Sequence, residues 1–144
     1  MRALGTLVRA LPRDATVVQV QATGYQEALS EGQGVVGRFP EAPKPEEGRK
    51  GIMDRFHDVW GAHQKVTVAL ARLLRDDVMD QGSRDALRGQ LEETRRGLAL
   101  AMDFTGWTVE ERRTLHDECL SSGWVKDEAL LRVLEKAGID DPDA

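Results

Sequence analysis

Between Ile52 and Met79 the apolar residues fall on one helical seam. Ile52, Phe56, Val59, His63, Val66, Leu70 and Leu73 are separated alternately by four and three positions. That spacing turns one helix face toward another helix crossing at a shallow angle. Met53, Trp60 and Leu74 widen the seam to the stripe that a bundle helix requires. Val66, Thr67 and Val68 are β-branched and cost a few tenths of a kcal/mol each in a helix. Burying so long a seam outweighs that cost. A chain with this feature must cover the seam with other helices or recruit a partner to do so.

The following residues supply the first cover. Gly82 reads as a left-handed helix terminator and Ser83 as the next N-cap. A second helix then runs to about Phe104, placing Leu87, Leu91, Thr94, Leu98, Ala101 and Met102 on one face. The short turn makes the pair an antiparallel hairpin. Thr108-Val-Glu-Glu111 is a capping box, in which the hydroxyl and the carboxylate each accept the other residue's amide. It opens a third helix that ends near Ser121-Ser122-Gly123. A fourth carries Val125, Ala129, Leu130, Val133, Leu134 and Ala137 and closes at Gly138-Ile139. Trp107 and Trp124 bracket the third helix and read as lids over a bundle end.

The first fifty residues differ in character. They carry seven Lys/Arg against six Asp/Glu, whereas the remaining 94 carry thirteen against nineteen. Leu4, Leu7, Val8 and Leu11 stand at helical spacing and stop at Pro12. Thr16 to Thr23 alternates, with Val18, Val20 and Ala22 on one side, as a half-buried strand does. Val35, Val36, Arg38 and Phe39 suggest a second strand. Three prolines between Phe39 and Gly51 mark a linker. The expected architecture is therefore mainly α: a helical bundle of a long antiparallel hairpin plus two shorter helices, with a small N-terminal helix/β-hairpin appendage. The expected divisions are residues 1–39 for the appendage, 40–51 for the linker, 52–139 for the bundle and 140–144 for an acidic tail.

Several function classes fall away on composition. One cysteine, Cys119, cannot form an intrachain disulfide and fits a reducing compartment. No apolar run approaches the ~18–20 residues of a membrane span. Arg9 interrupts the apolar run that a secretory leader would need, so the expected location is cytoplasmic. A net charge of −5 argues against a dedicated nucleic-acid binder.

The chemical motifs have plainer structural readings. Gly32-Gln-Gly-Val-Val-Gly37 matches a phosphate-cradling pattern, but Arg38-Phe39-Pro40 follows where a helix should begin. A turn between strands is the expectation. His116 and Cys119 share a helical face, and His57 or His63 opposite them would complete a three-ligand metal site. A core histidine at His63 and a structural thiol at Cys119 are the ordinary alternatives. Pairs such as Arg88/Glu92 and Arg113/Asp117 are those of a solvated helix face.

What remains is a protein–protein interaction module: an adaptor, assembly subunit or regulator without catalytic activity. No catalytic, cofactor-binding or metal residue is assigned. The expected partner is another protein or a second copy, with no membrane and with nucleic acid disfavoured. Leu4, Leu7, Val8, Leu11, Val18, Val20 and Trp60 are the candidate contact residues. The seam of 28 residues, about 42 Å, outruns the ~31 Å helix that follows it, which would leave Ile52, Met53, Phe56 and Trp60 exposed. The alternatives are a metal-dependent helical-bundle enzyme and a nucleic-acid-associated subunit.

Overall fold

The computed structural model describes the backbone of residues 13–121 and 132–134, with side chains from residue 24 onward. Four helices follow in order: α1 (Arg13–Arg38), α2 (Gly48–Leu74), α3 (Gln81–Leu100) and α4 (Val109–Ser121). A 3-10 turn at Pro45–Glu47 leads into α2. Gly48 joins them at a φ of 71°, which disfavours any residue with a Cβ. Among the described residues there is no strand.

The chain thus forms a helical bundle. Ion pairs and hydrogen bonds fix its directions: Arg38 meets Asp58, Glu31 meets Lys65 and Tyr25 meets Asp76. As α1 ascends in number, its partners descend toward the start of α2, so the two are antiparallel at first and last contact. Gly32 and Gly97 lie where α1 and α3 approach most closely. A Cβ on Gly32 would sit 2.6 Å from the Thr94 methyl and 3.0 Å from a Val66 methyl, and one on Gly97 would sit 3.0 Å from Val36. Gly32 pairs with Thr94 and Val36 with Gly97, so α1 and α3 run parallel.

The expected seam is the core. Ile52, Phe56, Val59, Val66, Leu70 and Leu73 are buried, and so are Leu87, Leu91, Thr94, Leu98 and Ala101 across the hairpin. Tyr25, Ala28, Leu29 and Val35 of α1 join the same cluster. A second cluster at the other end gathers Ile52, Phe56, Phe104, Trp107, Leu115, Cys119 and Leu134.

Several expectations need correction. The strands over Thr16–Thr23 and Val35–Phe39 are not formed, because the backbone is helical from Arg13 to Arg38. Gly32–Gly37 is therefore not a turn but a stretch of helix, with Gly32 there to admit Thr94. The long helix stops at Leu74 rather than Met79, since the Asp76 carboxylate captures the amides of Val78 and Met79. Asp80, not Ser83, caps the next helix by accepting the Ser83 amide at 3.0 Å. Gly82 lies inside that helix. The Thr108/Glu111 capping box forms as expected, at 2.8 and 3.1 Å.

The supposed exposed patch is also covered. Ile52 and Phe56 are 0% and 3% exposed, because α4 and the loop before it lie over them. Residues 40–51 are likewise held down. Arg55, itself buried, donates to Glu47 and to the Glu41 and Ala101 carbonyls, and its guanidinium stacks 4.8 Å from the Phe39 ring. Trp107 donates its indole N–H to the Pro43 carbonyl at 2.6 Å and meets Phe104 edge to face. It is the lid expected of it. Trp124 and the fourth expected helix lie outside the described residues, except for Arg132–Leu134, which are helical, with Leu134 buried.

Candidate partner-binding surface

The end of the bundle at the α2–α3 turn is built around Asp76. Helix α2 runs out at Leu74, and Asp76 folds the chain back by accepting the amides of Val78 and Met79 at 3.0 and 3.1 Å. Its other oxygen accepts the Tyr25 hydroxyl at 2.9 Å, which ties the turn to α1. Arg84 donates to the Asp76 carbonyl. Asp76 is only 3% exposed. Burial works to raise its carboxyl pKa, but the Met79 amide, the Tyr25 hydroxyl, the Val78 amide and nearby Arg84 together outweigh that. The group is held below the ordinary carboxylate value. Burial, and then the hydrogen bond to Asp76 and its charge, push Tyr25 up to about 12.

The same turn that buries a carboxylate leaves apolar side chains in water. Leu74 is 65% exposed and Val78 41%. Leu74 follows the fully buried Leu73 by one residue, so it points about 100° away from the core. Helix α1 passes this turn at Tyr25 and is helical for twelve further residues, back to Arg13. At 1.5 Å per residue that is about 18 Å of helix N-terminal to the point where Asp76 holds it. This end therefore combines an extended helix with two exposed aliphatic groups, four residues apart in sequence.

The candidate contact residues divide accordingly. Val18 and Val20 lie on the backbone of the N-terminal part of α1, and their side chains are outside the described residues. Leu4, Leu7, Val8 and Leu11 lie outside them altogether. Trp60 does not share this surface. It stacks between Phe56, at 5.6 Å, and His63, at 6.1 Å, and is partly buried on the far cluster. Fifteen residues of α2 and its turn separate it from Asp76. Sequence reasoning missed Leu74 and Val78 as contact candidates, because Leu74 was counted into the seam. The available signal was that Leu73 and Leu74, being adjacent, cannot both face one neighbour.

The residues weighed for chemistry are scattered. His57 is exposed, with Asp58 3.3 Å from its Nδ1. His63 is half-buried, and its pKa is lowered by that burial and by Arg95. Cys119 is fully buried, and burial pushes its thiol up, away from the reactive thiolate. His116 sits one turn earlier on α4, with Asp117 3.5 Å from its Nδ1. Among the described residues no group of three or more His, Cys, Asp or Glu is placed to hold a metal ion. The groove between α1 and α2 is lined by Ser30, Glu31, Arg38, Asp58 and Lys65. Its charges pair with each other across the helices, at 3.0 Å for Arg38–Asp58 and 2.9 Å for Glu31–Lys65. No described helix is long and apolar enough to cross a membrane. No protein-family model, curated protein or solved structure matches this chain.

Proposed function

We propose that this chain is a protein–protein interaction module, serving as an adaptor, assembly subunit or regulator, and that it engages its partner at the α2–α3 end. The observation that carries this reading is the pairing of Leu74 and Val78, both exposed, with the stretch of α1 that runs past them. Exposed aliphatic groups favour burial against another apolar surface, and exposed apolar patches commonly mark interfaces. Elsewhere Val68, Leu100 and Leu120 are exposed on three different helices, and charged residues pair along or across helices, such as Arg88 with Asp85 and Glu92. Exposed pairs of this kind contribute little to binding.

The test is reconstitution. Full-length protein recovers its stoichiometric partner from the cell that makes it, and the purified partner is titrated against wild type and Leu74→Glu. A loss of about tenfold or more in affinity supports the reading, since a charge would be buried against an apolar face. Equal binding by both proteins, or no partner of any kind including a second copy, overturns it.

A further inference from the structure

We infer that the partner at this end is a second copy of the chain, joined through the N-terminal half of α1 in an antiparallel, two-fold arrangement. The inference rests on the reading of that end as partner-binding and commits it to one occupant.

The first observation is register. Tyr25, Leu29, Gly32 and Val36 of α1 advance by four, three and four positions, and Tyr25 and Leu29 are buried on α2 and α3 while Gly32 meets Thr94 and Val66. In the sequence this alternation continues backward without a break through Ala22, Val18 and Ala15, and then Leu11, Val8 and Leu4. A four–three repeat of apolar residues is the seam along which helices pair. Beyond Tyr25 the bundle has no further turn of α2 to receive it, since α2 ends at Leu74. Leu134 packs with Ile52 and Phe56 at the opposite end.

The second observation is charge. From Ala15 to Gln26 there is no Lys, Arg, Asp or Glu, a run of twelve residues in a chain that is 31% charged. Every other uncharged run before Lys136 is seven residues or shorter. A basic or acidic partner would find nothing to pair with here. Two copies can meet along it without like charges opposed, although the chain as a whole carries −5. The antiparallel direction also sets the two acidic bundles at opposite ends of the contact, where their repulsion is smallest.

The third observation is length. The twelve residues from Arg13 to Gly24 span about 18 Å of helix. When two such segments lie antiparallel, the start of each α1 arrives at the other copy's α2–α3 turn. Leu74 and Val78 stand exposed there and close both ends of the contact by one two-fold operation. A contact of this extent falls below the ~1,600 Å² of a standard stable interface, so the dimer should depend on concentration.

Sedimentation equilibrium of the full chain from about 1 µM to about 1 mM tests this, a range suited to an interface of that size. Wild type should move from 16.0 kDa toward twice that mass. Val18→Glu and Leu74→Glu should each raise the dissociation constant at least tenfold. Val68→Glu, at an exposed site elsewhere on α2, should not. Circular dichroism checks that helicity is retained. Leu74→Glu carries the decision if Val18→Glu loses helix, since Leu74 already faces water. A strict monomer at every concentration, or a dimer that Leu74→Glu leaves intact, overturns the inference. A monomer that binds a different protein through Leu74 would overturn self-association alone and leave the partner-binding reading standing.

Discussion

The two ends of the bundle handle irregular chain in opposite ways. At the end nearest Ile52, the segments 39–48 and 101–108 are pinned over the core through Pro43, Ala101, Phe104 and Trp107, and buried donors meet their carbonyls. Arg55 reaches Glu41 and Ala101, Arg112 reaches Phe104 and Trp107, and Trp107 reaches Pro43. At the other end a single carboxylate, Asp76, organises the turn, and Leu74 and Val78 stay in water. Burying backbone carbonyls without donors would cost on the order of 1–3 kcal/mol each. A sealed end thus needs polar side chains at core-facing positions, and this chain places two arginines there. At the open end Arg84 likewise reaches the Asp76 carbonyl, but Leu74 and Val78 remain free to be covered from outside.

The sharpest way to break this contrast is to truncate one apolar side chain at each end. Phe56→Ala removes a ring that is 3% exposed and packed in the Ile52 cluster. It should lower unfolding free energy by about 3–5 kcal/mol. Leu74→Ala removes a side chain that is 65% exposed and should change it by less than about 0.5 kcal/mol. Urea unfolding of both variants, at a protein concentration where wild type is monomeric, makes the comparison. Losses of similar size would mean that Leu74 is covered within the chain.

The open end's buried carboxylate should give a smaller but pH-marked effect. Asp76→Ala strands the Tyr25 hydroxyl and two turn amides, and should cost about 2–3 kcal/mol. The signs of the pH dependence follow from the two shifts. The Asp76 pKa is depressed in the fold, so its stabilisation is full above the ordinary carboxylate value near 3.9. It is lost as pH falls through the lowered value. Tyr25 is raised from 10.0 to about 12. Its contribution is full below pH 10 and is lost as pH climbs toward 12. Thermal midpoints measured from pH 8 to 12 should fall for wild type and fall less for Tyr25→Phe. Equal falls in the two proteins would show that the tyrosine does not report on this turn.

The same contrast explains what could be read from sequence. The α2 and α3 seams were legible because their apolar residues keep a helical period over more than two heptads, and the Thr108/Glu111 box because capping is local chemistry. Helix α1 was misread. Val18 and Val20 alternate with Gln19 and Gln21 as strand residues do, and Gly32, Gly34 and Gly37 lower helix propensity. From Tyr25 onward, packing on two neighbouring helices overrides the cost of the glycines. The segment 40–51 looked like a linker because proline density speaks of backbone, not of Arg55 and Trp107 reaching it from far along the chain. Leu74 could be separated from the core by its adjacency to Leu73, but Val78 could not without knowing that Asp76 ends the helix. Contacts between residues apart in sequence decided the first two, and a local pattern does not carry them.

Between the two ends lies the crossing that seats α1, and two glycines there should respond in opposite directions. Adding a methyl to a helical glycine gains roughly 0.5–1 kcal/mol where space is open. Gly34 has nothing within 4 Å of its added Cβ, so Gly34→Ala should stabilise by about that amount. At Gly32 the same methyl would stand 2.6 Å from Thr94 Cγ2 and 3.0 Å from Val66 Cγ2. Both neighbours are short and β-branched, and neither can swing aside without leaving its own packing. Forcing extra volume into such a site costs about 1–3 kcal/mol, which exceeds the gain in propensity. Gly32→Ala should therefore destabilise by about 1 kcal/mol net, read as a lower urea midpoint at unchanged slope. A stabilised Gly32→Ala would show that α1 does not seat against α3 at this depth. The register that carries its stripe past the open end would then lose its anchor, and with it the distinction between a sealed end and one left for a partner.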